Sequence, residues 1–242
     1  MEIKRLRMHT TEQARVSGME TLMKLSKIIS FAIVIAAAGP AGAAGIGVRA
    51  GTTGVGGDIG WNLAPTLSAR IGYSWLNSYS VDVSTSDVNY DGKLKLSNLS
   101  GLLDWSPLGP FRITAGIVGN DNKLDVTGVP AGGTFTINGI TYAASDVGSL
   151  TGTVKPGKKT APYLGFGYGN VAGAGVNFYF DIGVIFQGSP KSTLTATCGP
   201  AVPAGQCAQL QNDVAAEQQS LNDKMSKYKY FPVANIGITI GF

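Results

Sequence analysis

Tyr230 to Phe242, YFPVANIGITIGF, alternates without a break. Counting back from Phe242, the residues Ile240, Ile238, Ile236, Ala234, Pro232 and Tyr230 share one side of an extended chain. Gly241, Thr239, Gly237, Asn235 and Val233 share the other. Side chains of a strand point to opposite faces with period two, so one face here is apolar and the other is small or polar. A strand of this kind separates an apolar medium from a wetter one.

Working back from that strand, six more alternating segments follow. One ends in Ile59-Gly60-Trp61; after the turn Asn62–Pro65 the next shows Leu67, Ala69, Ile71, Tyr73 and Trp75 in phase. A third runs from about Lys93 to Trp105, with Leu99, Gly101 and Leu103 in phase. Past the Pro- and Gly-marked turn Ser106–Pro110, a fourth has Phe111, Ile113, Ala115 and Ile117. Pro162, Leu164, Phe166 and Tyr168 mark a fifth. After the glycine-rich turn Asn170–Gly175, a sixth shows Val176, Phe178, Phe180, Ile182, Val184 and Phe186. That makes seven with the closing strand.

Charge is scarce for a water-soluble domain, at 14% of residues, and the 34 glycines are more than usual. Lys24 and Lys27 precede the apolar run Ile28–Ala38, and small residues follow, with an A-x-A site at Ala41-Gly42-Ala43. This reads as a secretory signal helix cleaved after Ala43. At 11 residues the run is too short to span a bilayer, which takes about 20. The polar stretch Met1–Leu22 is unusual ahead of a signal, and Met19 or Met23 is the expected start. The domain expectation is therefore 1–43 for the upstream segment and signal peptide, and 44–242 for the folded unit.

After Ala43 no apolar run reaches helical membrane length, so a chain that crosses lipid must do so as a closed barrel with no unpaired edge. Export plus alternation points to the bacterial outer membrane. Short turns at Asn62–Pro65, Ser106–Pro110 and Asn170–Gly175 go to the periplasm; the connections Ser80–Gly92, Thr127–Thr160 and Ser189–Lys227 go outside. With both ends periplasmic the strand count is even, and Gly45–Thr52, turning near Thr53-Gly54, supplies a truncated first strand. The fold class is all-β: an antiparallel transmembrane barrel of about eight strands, with one helix in the last extracellular loop.

Three features sit in the long connections. Thr134–Tyr142 is a hairpin around Asn138-Gly139, read as a loop hairpin in preference to a strand pair that would make the wall ten-stranded. Cys198 and Cys207, the only two cysteines, are expected to form a disulfide in an oxidising compartment, worth about 2–3 kcal/mol in the chain-entropy model. No second ligand pair lies nearby for a metal. From Ala208 to Lys227, Leu210, Val214, Leu221 and Met225 recur at helical spacing. That helix is a lid, a seam for a partner, or an element packed on the barrel's own rim, the last being preferred.

The chemistry that this chain can carry is limited. Its single histidine is His9, upstream of the signal, so the exported part has none to serve as a base. No enzyme activity and no cofactor is expected. Of the 19 basic and 15 acidic residues, 13 and 12 fall after Ala43, a net of about +1, which argues against nucleic acid. Asp58, Arg70, Asp104, Arg112 and Asp181 fall in the inward phase, with Tyr179, Asn62, Ser68, Ser74, Thr114, Asn177, Gln187 and Asn235. Charges survive at membrane depth when paired or wet, so this set is either a salt-bridged plug, the preferred reading, or the constriction of a narrow channel. Inward glycines such as Gly72, Gly167 and Gly237 leave lumen space or ease barrel curvature. Lys158, Lys159, Lys191, Lys227 and Lys229 fall on the outer side as candidate contacts to lipopolysaccharide phosphates.

Gly60–Tyr73 (GWNLAPTLSARIGY) and Ala161–Pro190 resemble small proteobacterial outer-membrane barrel proteins, in the style of the OmpA membrane domain and OmpW. The resemblance covers Gly45–Phe242 and implies compartment and architecture. The expected role is structural or surface-interaction, the alternative being a porin-like narrow pore for small or apolar solutes, with outer-membrane lipid and lipopolysaccharide as surroundings. The terminal Phe242 with Ile240 and Ile238 resembles the closing strand read by the barrel-assembly machinery.

Overall fold

The computed structural model describes residues 44–84, 88–130 and 133–242. The segment 1–43, with its expected signal helix, lies outside them. The chain from Ala44 alternates in long extended runs, and these form β1 (Ala44–Gly51), β2 (Gly54–Ala64), β3 (Leu67–Ser84), β4 (Val88–Leu108) and β5 (Phe111–Asn120). There follow β6 (Lys123–Pro130), β7 (Thr134–Ile137), β8 (Ile140–Ala143), β9 (Val147–Lys155) and β10 (Thr160–Gly169). The chain ends with β11 (Gly175–Ile185), β12 (Lys191–Cys198), a single described helix α1 (Ala204–Met225) and β13 (Phe231–Gly241).

Eight of these strands close into a ring in the order β1-β2-β3-β4-β5-β10-β11-β13, each antiparallel to its neighbours. The closure is made by the faint first strand. β1 pairs with β13 from Gly45↔Gly241 to Gly51↔Asn235, and with β2 on its other side. At 8 residues it is shorter than the 11 of β2 or β13 and ends below the rest of the wall. The wall strands point Ile236, Ile238, Ile240, Phe166, Phe178 and Leu103 outward, all exposed. A continuous apolar belt of this extent is untenable in water and suits a hydrocarbon surround. No described helix is long and apolar enough to cross a membrane.

Closure leaves the two ends of the barrel unequal. At one end the strands are joined by the tight turns after β2, β4 and β10. At the other, β3 and β4 run on for 18 and 21 residues, when a tilted membrane strand needs about 9–11. There β4 exchanges partners: its lower part, Asn98–Leu108, pairs with β5, and its upper part, Val88–Lys95, pairs with β6. Beyond β6 come β9 and then β12, so a five-stranded blade, β3-β4-β6-β9-β12, rises above the ring.

Of the segments expected as connections, Ser80–Gly92 and Thr127–Thr160 are thus largely strand, and Ser189–Lys227 holds β12 ahead of its helix. The alternation of β9 and β12 lacks a lipid stripe, because Val147, Leu150, Leu194 and Ala196 are covered by protein. The Thr134–Tyr142 hairpin stays out of the wall as β7–β8, a separate two-stranded sheet. Its turn residues Asn138 and Gly139 have φ of 53° and 76°, the pair of positive values that a two-residue type I′ turn requires.

Helix α1 begins at Ala204, four residues earlier than its apolar spacing suggested, and ends at Met225. Pro203, extended, sets its start. Cys207 in the first turn is bonded to Cys198 at the end of β12, which ties the helix to the strand that it covers. Leu210 and Val214 pack with Phe135, Ile137, Val147 and Ala196 into a small apolar core. Packing on the molecule's own outer structure is the arrangement found. A polar stripe beside this apolar one on α1 has a second use. Gln218 Oε1 accepts the Leu194 N–H at 2.8 Å, Asn222 Oδ1 accepts the Ser192 N–H at 2.7 Å, and Gln211 Nε2 donates to the Ala196 carbonyl at 2.7 Å. β12 is the free edge of the blade, and these side chains satisfy the backbone groups that an edge strand leaves open.

Candidate functional site

The inward phase of the eight wall strands brings the predicted charges together. Arg70 on β3 bonds Asp181 on β11 (Nη1–Oδ2 2.7 Å) and Asp104 on β4 (Nε–Oδ2 3.1 Å). Arg112 on β5 bonds the same two carboxylates, at 2.8 Å to Asp181 and 3.4 Å to Asp104. Thr114 donates to Asp104 at 2.5 Å. All four charged groups are buried. Asp58 lies apart from this square and takes another partner, Arg49 on β1, at 2.8 Å. Arg49 also reaches Ser74 and Ser100, at 3.4 and 3.3 Å.

Tyr179 joins the two groups. Its hydroxyl donates to Asp58 at 2.5 Å, while its ring lies 5.4 Å from the Arg70 guanidinium carbon and 5.5 Å from that of Arg112. The ring face is the negative end of an aromatic quadrupole, so it suits two cations that share it. Three arginines face three aspartates, and the network carries no formal excess charge. At membrane depth this balance is what makes it tenable: a single unpaired ion there costs several kcal/mol, and pairing with further hydrogen bonds recovers most of it.

The inward glycines make the network fit. A Cβ on Gly72 would lie 1.9 Å from Asp58 Oδ1, one on Gly167 2.6 Å from Asp181 Oδ1, and one on Gly237 2.3 Å from the Tyr179 ring. The lumen space that these glycines leave is therefore taken up by charged and aromatic side chains. Towards the blade the network is capped by an apolar layer of Leu102, Val118, Ala161, Tyr163, Ile185 and Val233. The cavity between network and cap is about 20 Å³, room for about one water. Towards the turn end a polar vestibule of about 450 Å³ opens beneath Ser68, rimmed by Asn62, Pro65, Ser106, Pro110 and Asn170.

Other predicted positions fall at the ends. Ser68, Ser74, Thr114 and Asn235 are buried in the lumen. Asn62 and Asn177 are at the turn end, bonding the carbonyls of Ala172 and Gly173, and Gln187 at the blade end bonds the Tyr228 carbonyl. Phe242, Ile240 and Ile238 are exposed on the outer face beside the seam with β1. Lys158 and Lys159 lie in the β9–β10 connection, Lys191 opens β12, and Lys227 and Lys229 lie between α1 and β13, all exposed. Arg49 is the site residue that strand patterning overlooked. Its signal was a lone charge in phase with Gly45, Gly47 and Gly51, in a segment too short to weigh as a strand.

No family model and no curated protein matches the chain. Solved structures do. The crystal structure of Acinetobacter baumannii CarO is 25% identical, with a TM-score of 0.58, over 82% of this chain and 97% of that one. Acinetobacter baumannii CarO2 is 24% identical, with a TM-score of 0.59, over 83% and 98%. A major outer membrane protein of Thermus thermophilus aligns at 15% identity and a TM-score of 0.40, over 82% and 99%. An eight-stranded ring, an outward apolar belt, an inward charge network and this likeness lead to one conclusion: the chain is a small β-barrel protein of the bacterial outer membrane.

Proposed function

We propose that this protein is a structural or surface-interaction component of the outer membrane, in which the barrel is a filled anchor and the blade is the working part. The observation that carries the reading is the lumen. Two buried ion clusters joined by Tyr179, an apolar cap above them and a gap of about 20 Å³ between fill the middle of the lumen among the described residues. An eight-stranded barrel is just wide enough for side chains to fill. By the rule that barrels keep short turns in the periplasm, the blade faces outside.

A non-enzymatic role fits a chain whose part after Ala43 has no histidine and whose two cysteines are paired. The outward row Ile238, Ile240 and Phe242 beside the β1–β13 seam suits an assembly partner that meets the barrel before it closes. The vestibule is the feature closest to a pore, and it stops at the ion network. Planar-bilayer recording on the purified protein tests this: no steady single-channel steps are expected. A steady opening whose conductance changes in Asp104→Asn or Arg112→Gln would establish a narrow pore instead.

A further inference from the structure

The blade twice sets lysines directly opposite each other across an antiparallel pair, and the two places differ in one respect. At the first, Lys95 faces Lys123. Asp125 answers both, at 3.7 and 2.9 Å. At the second, Lys191 faces Lys155. Both side chains are exposed, and among the described residues neither joins an ion pair. Partners on the same face continue as Thr193↔Thr153 and Thr195↔Thr151; the acid nearest on that face is Asp125, opposite Thr153 on β6, and it is already held by Lys95, Lys123 and the Thr153 hydroxyl. Like charges directly opposite each other destabilise a strand pair, so the second place lacks a counter-ion that the first has built in.

Further cations are fixed beside this pair. The Lys158 N–H donates to the Gln187 carbonyl at 2.8 Å, and its stem runs along Gly188, where a Cβ would lie 3.2 Å from its Cγ. Gln187 Nε2 donates to the Tyr228 carbonyl at 3.2 Å, and Ser189 Oγ to the Ser226 carbonyl at 3.0 Å. These bonds lace the segments 155–159, 187–191 and 226–229 together. Lys227 and Lys229 alternate there with Tyr228 and Tyr230, both exposed, and Tyr230 packs edge-on against Phe186 at 5.6 Å. Exposed aromatics at the end of a barrel wall mark the depth of the lipid headgroups.

We propose that Lys155 and Lys191, with Lys158 beside them and Lys227 and Lys229 on the flank, bind the phosphate of a phosphorylated lipid headgroup in the outer leaflet. Lysines bind phosphate as point charges and need no bidentate geometry. The aromatic girdle selects a lipid over a free anion, because it sets the cations where a headgroup's own acyl chains lie along the apolar wall.

The test is native mass spectrometry of the whole protein in detergent micelles, titrated with bisphosphorylated lipid A, with the same glycolipid dephosphorylated, and with inorganic phosphate. Lipid A adducts are expected, weakened about thirtyfold in K155Q/K191Q, at about fivefold per lysine, and unchanged in K95Q/K123Q. Lys191→Asp supplies the missing counter-ion from within and should abolish the adduct while raising the lipid-free Tm. Retained heat-modifiable gel mobility shows that each variant is folded. Equal binding of the dephosphorylated glycolipid, or equal binding by K155Q/K191Q, would overturn the site. Binding of inorganic phosphate as tight as that of lipid A would overturn the lipid assignment.

Discussion

In the ring, Arg70, Arg112, Asp104 and Asp181 are buried inside and Ile236, Phe166 and Phe178 are exposed outside; where α1 and the β7–β8 hairpin pack on the blade, Phe135, Ile137, Leu210 and Val214 are buried and the blade's lysines are outside. One chain thus has two cores of opposite polarity. Each is set by the medium beyond the wall: against hydrocarbon the polar groups turn inward, and against water the apolar groups do. The costs of error differ accordingly. A lost partner in the ring leaves an ion with no water to turn to, whereas a lost methyl group in the blade leaves a hole.

The largest effect should come from breaking the ring's core. Asp181→Ala leaves Arg70 and Arg112 each without their closest carboxylate, and about 3–5 kcal/mol of barrel stability should go with it. The urea midpoint of the heat-modifiable gel shift measures it. An unchanged midpoint would mean that the network is ornamental to the barrel. Leu210→Ala should cost about 2–5 kcal/mol in the blade core and leave that gel shift where it was, since the ring does not depend on α1. Coupled loss of both would erase the distinction between two cores.

A smaller effect is expected at the blade edge. Gln218→Ala frees the Leu194 N–H, at a cost of about 0.5–1.5 kcal/mol, and hydrogen exchange at Leu194 should quicken while exchange in β13 does not. The smallest concerns pH. Asp213 accepts hydrogen bonds from Tyr142, Asn138 and Gln209, and the first two of these chiefly hold its carboxyl below the ordinary 3.8. This contribution is complete above that value and is lost as pH falls through the lowered pKa. Burial, then Asp213, pushes Tyr142 from 10.0 up to about 12, so its contribution is complete below 10.0 and is lost as pH rises through about 12. Near-ultraviolet circular dichroism of the tyrosines should therefore be flat between these limits, and Asp213→Asn should remove the acid limb and draw the alkaline limit back towards 10.0.

Legibility followed the same division. Strands against lipid advertise themselves, because every second residue must be apolar over the whole span; Phe242 to Pro232 and Phe186 to Val176 gave away their phase. From phase alone, Asp58, Arg70, Asp104, Arg112 and Asp181 could be placed on one side of the wall. Which cation meets which carboxylate could not be read, since Arg70 and Asp181 are 111 residues apart and meet only when the ring closes. β1 was faint because its glycines and alanines carry little pattern, and Arg49 was lost with it. The blade strands were opaque for another reason: Ser192, Leu194 and Ala196 are covered by α1 and not by lipid, so the mixed alternation of β12 looked like that of a loop.

The sequence by itself determined the compartment, the eight-fold wall, the inward charges, the disulfide and the helix, since each follows from a local period or a residue count. Tertiary structure alone decided that Tyr179 bridges two ion clusters, that the space left by inward glycines is filled, that the helix seals a strand edge through Gln211, Gln218 and Asn222, and that one lysine pair has a counter-ion while the other has none. These are matters of which distant residues become neighbours, and barrel closure, a long-range event, is what makes them so.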